Sequence, residues 1–161
     1  MFPGIGYDPI IDYYRLKQQY VWLTPEIYYP IYEEARKYEN VTMDDLCAII
    51  QYESGNYCHN KVECMKTVVS SAGATGVMQI MKIHHAGPRT DLNDPALNIK
   101  YGARFYSWCL KYTKGDKKEA LRCYNAGPFS TASNYKGWIG YVTLFYGQAK
   151  RVKKYIMSIM R

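Results

Sequence analysis

Glu53 stands where a helix-forming stretch runs out, and a carboxyl group in that place has the makings of a proton donor. Upstream, Thr42 with Asp45 three residues on approximates a capping box, although Glu or Gln is the more usual partner. Leu46, Ile49 and Ile50 then recur at helical spacing as an inward stripe. Extending the stripe by three or four residues lands on Glu53, just before Ser54-Gly55-Asn56 ends the helix. A carboxyl group there loses solvation and meets the negative end of the helix dipole, and both effects raise its pKa. An acid still protonated near neutral pH can donate to a poor leaving group, as cleavage of a glycosidic bond requires. Position alone does not single out Glu53, because most glutamates at helix ends are simply solvated. The neighbouring segments have to carry the case.

Those segments read as mostly helical. Met1 to Leu23, with Pro3, Gly4, Gly6 and Pro9, reads as an irregular lead-in holding one short helical piece. The next helix is predicted over Tyr29 to Glu39, with Pro30 in its first turn and Asn40 closing it. Asp94-Pro95 is a further helix start, followed by Leu97, Tyr101, Phe105, Trp108 and Tyr112 at spacings that predict a core-facing stripe. Asp116 opens another helix, with Glu119 at the capping-box position and Gly127-Pro128 stopping it. A last helix is predicted from about Leu144 to Met160, with Lys150, Arg151, Lys153 and Lys154 outward or at its margins. Between these lies a run of small residues, Ser70 to Gly76, of the kind that lets backbone approach a ligand or another segment closely. The expectation is one compact domain, mainly α with little strand: residues 1–40 as lead-in and first helix, and 41–161 as the functional unit.

Composition narrows the classes. The 161 residues can bury a core unaided, and 48% hydrophobic against 22% charged residues argues against disorder. Nothing approaches the roughly 20 apolar residues of a membrane span. The opening residues lack a basic region followed by an apolar one, so no secretory signal is read there. The first 60 residues carry a net charge of −5 and the remainder +12, a basic portion that suits a polyanionic partner or a solvated surface. No zinc-finger spacing, RNA-binding aromatic motif or P-loop accompanies it, which lowers the nucleic-acid option. No metal or other cofactor is expected: His59 beside Cys58 lacks further ligands at zinc-like spacing, and adjacent His84 and His85 make a poor pair. Of five cysteines, Cys58 and Cys64 share a short polar segment and could staple a loop, at a loop-entropy gain of about 2 kcal/mol. Cys47, Cys109 and Cys123 fall on helical patterns and are expected to stay reduced as small buried hydrophobes.

Four pieces, in order, resemble the catalytic domain of the soluble (Slt) lytic transglycosylases, within the wider lysozyme-like group. They are Glu53-Ser54-Gly55-Asn56; SSAGATGVMQIM from Ser70 to Met81, with Val77 where the family has Leu; Asn98-Ile99 with Gly102-Ala103; and Tyr124-Asn125-Ala126-Gly127-Pro128. The resemblance covers about Val41 to Pro128, more loosely the last helix, and implies a lysozyme-like fold with a substrate cleft. It implies that the glutamate protonates the oxygen between N-acetylmuramic acid and N-acetylglucosamine in peptidoglycan glycan strands. The same residue then takes the proton of the muramic C6 hydroxyl, which closes on C1 to leave a 1,6-anhydro sugar. One carboxylate therefore suffices, unlike the pairs of most glycosidases. Carried over residue by residue, Ser70, Gln79, Met81, Tyr124 and Asn125 line the cleft around Glu53. A backbone-bonding role for Gln79 and plain core filling for Met81 are the competing readings.

Two features depart from the family pattern. Residues 56–69 make a longer connection than usual and hold Cys58 and Cys64, and the closing Glu-Thr motif has no counterpart near Tyr146-Gly147-Gln148. The nearest rival, a goose-type lysozyme hydrolase, has aspartates where this chain has Ser70 and Met81, neither of which can activate water. A non-catalytic wall-binding module would be marked by loss of Glu53. Action at the bacterial cell wall or periplasm is the expected setting, with delivery by a phage, secretion by another route, or a signal already removed.

Overall fold

The computed structural model describes residues 9–87 and 89–129. The predicted last helix and its lysines and arginine lie outside these residues. The described architecture is mainly helical: α1 (Pro9–Gln19), α2 (Pro25–Ala35), α3 (Met43–Ile50), α4 (Val62–Thr67), α5 (Pro95–Tyr112) and α6 (Lys117–Ala126). One small antiparallel hairpin interrupts them, β1 (Ala74–Thr75) with β2 (Ile80–Met81), in the register Ala74 to Met81 and Thr75 to Ile80. No helix among the described residues is long and apolar enough to cross a membrane.

The N-terminal stretch is more ordered than the sequence suggests. α1 runs for 11 residues, and its Leu16, with Tyr20, Trp22 and Leu23 after it, is buried in the same cluster as Leu46, Ile49 and Ile50. Arg15 donates two hydrogen bonds of 2.9 Å to the carboxylate of Asp44, in the first turn of α3, which pins the lead-in to that helix. α2 begins and ends about four residues before the predicted Tyr29–Glu39. Thr24 is extended and Pro25 takes the first helical position, so the start that suits a proline is used there, and Pro30 sits inside the helix.

α3 is capped as its sequence indicates: the Thr42 side chain accepts from Asp45 N–H, and the Asp45 carboxylate accepts from Thr42 N–H. Asp45 is also buried against Lys117 at 2.9 Å, which joins the start of α3 to the start of α6.

α5 departs most from expectation. Its buried face is Asn98, Ile99, Gly102, Ala103, Tyr106, Cys109 and Leu110, whereas Leu97, Tyr101 and Phe105 are only half-buried and Trp108 and Tyr112 are exposed. The reason is the hairpin. Its connecting residues Val77 and Met78 are driven into the core, and a Cβ on Gly102 would lie 2.3 Å from Met78 Sδ. Asn98, fully buried, accepts from Met78 N–H at 2.8 Å and donates to the carbonyls of Thr75 and Leu92 at 2.8 and 2.9 Å. Small and amide residues therefore face inward because backbone must come close.

The cysteine expectation needs one correction. Cys58 and Cys64 are joined, and so are Cys109 and Cys123, two residues expected to remain reduced. α5 and α6 fold back on one another through a short connection, so the two inward-facing cysteines meet each other rather than a hydrocarbon neighbour. Cys47 alone is an unbridged, buried thiol.

Candidate active site

The α3 helix does not stop at Ile50 but widens into a π-helical turn, Gln51–Gly55, with Asn56 N–H donating to the Gln51 carbonyl at 2.8 Å. Such wide turns recur at functional sites because they re-aim a side chain. Glu53 is the residue re-aimed here. Its neighbours hold the turn from both sides. Ser54 Oγ, fully buried, donates to the Val77 carbonyl at 2.8 Å, and so ties the turn to the hairpin. On the other side, Trp22 Nε1 donates to Gln51 Oε1 at 2.7 Å, and Gln51 Nε2 donates to Asn56 and Asn60. The lead-in thus braces the Glu53 turn, a link that sequence reading missed because 29 residues separate the two partners.

Glu53 opens into a cleft of about 430 Å³ lined by Ser70, Ser71, Ala72, Ala74, Gln79, Ile80, Met81, Phe105, Tyr124 and Asn125. All five residues carried over by resemblance stand on this lining with Glu53. Phe105, expected in the core, packs half-buried against it and also lines the cleft wall, where its ring lies 5.3 Å from that of Tyr124. Among the described lining residues Glu53 is the sole carboxylate. Burial pushes its pKa from the ordinary 4.5 up to about 7, against a smaller lowering by the hydrogen bond from Asn125 Nδ2 to Glu53 Oε1 at 3.3 Å. The group is therefore poised between acid and base near neutral pH.

The rest of the lining divides by what each side chain is already bonded to. Gln79 has a left-handed φ of 52°, and its Nε2 donates to the carbonyls of Val68 and Gly76, which leaves Oε1 as its acceptor. Ser70 Oγ accepts from Ala74 N–H at 3.0 Å and so keeps its own proton for an acceptor in the cleft. Tyr124 donates its hydroxyl to the Met78 carbonyl at 2.9 Å, so the ring rather than the hydroxyl faces the cleft. Asn125 Oδ1 is buried without a partner. Met81, half-buried on β2, supplies apolar wall. Among the described residues no group of three His, Cys, Asp or Glu side chains could hold a metal ion.

Geometry of this kind can be set beside known proteins. The chain matches the family described as the Transglycosylase SLT domain over residues 30–138, well over half its length. No curated protein and no solved structure matches it.

Proposed function

Since the chain belongs to the Transglycosylase SLT domain family, whose substrate is peptidoglycan, we propose that it cleaves the bond between N-acetylmuramic acid and N-acetylglucosamine without water, with Glu53 as the one acid/base. Glu53 in its protonated form gives its proton to the glycosidic oxygen as the C1–O bond breaks. The resulting carboxylate accepts the proton of the muramic C6 hydroxyl while that oxygen bonds C1. The glutamic acid is regenerated, the leaving sugar carries the first proton, and the other product ends in a 1,6-anhydro ring.

The observation that carries this reading is a lone cleft carboxylate, among the described residues, with a pKa of about 7. A hydrolase of the common kind would need a second carboxyl group, roughly 5 to 9.5 Å away, as nucleophile or water-activating base. Asn125 is read as the partner of the ionised form. Its N–H stabilises the carboxylate left after proton donation. Ser70, Gln79, Met81 and the Tyr124 ring are read as substrate-positioning walls.

Digestion of purified peptidoglycan followed by mass spectrometry tests the reaction. Anhydro-muramic ends, each lighter by one water than a hydrolytic end, are expected. Glu53→Gln should reduce turnover by roughly 10²- to 10⁴-fold, the usual worth of acid/base catalysis. Reducing-end products from the wild type, or a well-folded Glu53→Gln protein within about threefold of it, would overturn the proposal.

A further inference from the structure

The stripe that sequence periodicity assigns to the core of α5 leaves the core along its length: Tyr101 and Phe105 pack half-buried against it, while Trp108 and Tyr112 turn outward and with Phe105 form a row of rings. Phe105 stacks on Trp108 with centroids 5.9 Å apart and planes 12° apart, and Trp108 stacks on Tyr112 at 5.2 Å and 16°. Trp108 is 45% exposed and Tyr112 50% exposed, so two large rings of the row stay in contact with water. Two adjacent, stacked rings kept half in water differ from a single exposed aromatic, which needs no explanation. The row also has a direction. It starts at Phe105, on the wall of the Glu53 cleft, and continues along α5 for two helical turns, about 10 Å. Arg104, whose guanidinium lies 5.0 Å over the Tyr101 ring, and Lys111 are exposed residues of the same helix next to Phe105 and Tyr112 in the chain, so the strip is flanked by cationic groups.

We propose that this strip is a docking surface for the glycan strand as it continues beyond the cleft. It rests on the reading of the cleft as a peptidoglycan site and adds where the uncleaved part of the polymer lies. Three features favour this occupant. The strip is continuous with the cleft through Phe105, so a strand leaving the cleft past that residue meets Trp108 next. Sugar rings present C–H faces and hydroxyl edges, the complement of aromatic side chains that are apolar in body and, for Trp and Tyr, polar at the tip. Peptidoglycan is anionic, and Arg104 and Lys111 supply opposite charge along the same path.

Two measurements on the full chain test this. In a Glu53→Gln background, where the polymer is not consumed, co-sedimentation with purified insoluble peptidoglycan gives affinity directly. Adding Trp108→Ala with Tyr112→Ala should weaken it by roughly five- to tenfold, and Trp108→Phe should restore most of the loss. In the catalytically intact protein, the same double substitution should lower the ratio of cleavage rates on long strands to those on short soluble oligomers by a similar factor. Unchanged affinity and an unchanged ratio would overturn the proposal. So would an equal fall on long and short substrates, which would place the rings' effect inside the cleft. Loss of thermal stability in Trp108→Ala with affinity unaltered would assign the strip to packing against residues 130–161 of this chain, and a change in oligomeric state would assign it to a second copy. Wild-type protein that releases no anhydro ends would overturn the reading of the cleft, while wall binding by the Glu53→Gln protein would still report on the strip.

Discussion

Two of the helices that border the Glu53 cleft, α3 and α5, each carry a regular hydrophobic stripe, yet only that of α3 stays buried throughout. On α3, Leu46, Ile49 and Ile50 are all 0% exposed and lead straight to the π turn that holds Glu53. On α5, Phe105 only edges the cleft and Trp108 and Tyr112 run outward along the surface. The inner face of α5 is decided by something other than hydrophobicity. Gly102 gives way to Met78, and Asn98 satisfies the N–H and carbonyl groups of the hairpin that presses against it. Spacing identifies residues that share a face. Close backbone approach and hydrogen-bond satisfaction decide which face is buried.

The sharpest way to break this contrast is to make the inner face of α5 more hydrophobic. Asn98→Leu keeps the volume and removes the partner of Met78 N–H and of the Thr75 and Leu92 carbonyls. With each orphaned buried group costing about 1–3 kcal/mol, a loss of about 4 kcal/mol or more is expected in chemical denaturation. A loss below about 1.5 kcal/mol would mean that water or a rearranged hairpin replaces the amide. On α3, Ile49→Ala should cost about 3 kcal/mol by the same measurement, the ordinary worth of a buried aliphatic side chain plus its cavity.

That contrast also explains how far the sequence could be read. The α3 cap, its aliphatic stripe and the arrival of Glu53 at the helix end depend on residues within about a dozen positions of one another. So does the stop of α6 at Gly127, whose φ is 81°. Local capping chemistry and period are enough for such features. What escaped reading depends on partners that sit in different elements. The Trp22–Gln51 brace, the Cys109–Cys123 bridge and the exposure of Trp108 all require knowing which elements meet. The resemblance gathered the cleft residues because motifs store those meetings implicitly. It was silent on Phe105, and sequence periodicity gave only half of its role, the packing against the core and not the cleft wall.

Glu53 gives a smaller, pH-dependent test of what burial at the end of α3 does. Its pKa in the folded protein is about 7 against an ordinary 4.5, so between these values the folded state binds more protons than the unfolded one. The Glu53 contribution to stability therefore falls as pH rises from about 4.5 to about 7 and is level on either side of that window. Glutamine stays neutral throughout. Glu53→Gln should thus be nearly neutral at pH 4 and more stable than wild type by up to about 3 kcal/mol at pH 8. Thermal unfolding of both proteins across that range checks it. A difference that does not vary with pH would mean the carboxyl group is as well solvated as in the unfolded chain.

The smallest effect is expected at the far end of the aromatic row. Tyr112 is half exposed and its ring meets Trp108 near the last turn of α5, remote from the contacts that Asn98 and Gly102 make with the hairpin. Tyr112→Ala removes one stacked pair and opens no cavity in the core. The stacking is worth about 1 kcal/mol at most, and alanine's better helix propensity offsets about half of it. The net change should be within about 0.5 kcal/mol, a melting shift of roughly 1–2 °C for a chain of this size. A shift beyond about 4 °C would show that the outer stripe stabilises the fold as the α3 stripe does. A near-zero shift would leave the outer rings contributing little to folding, which is the state a binding surface needs: aromatic area held in place by the helix and still open to a partner.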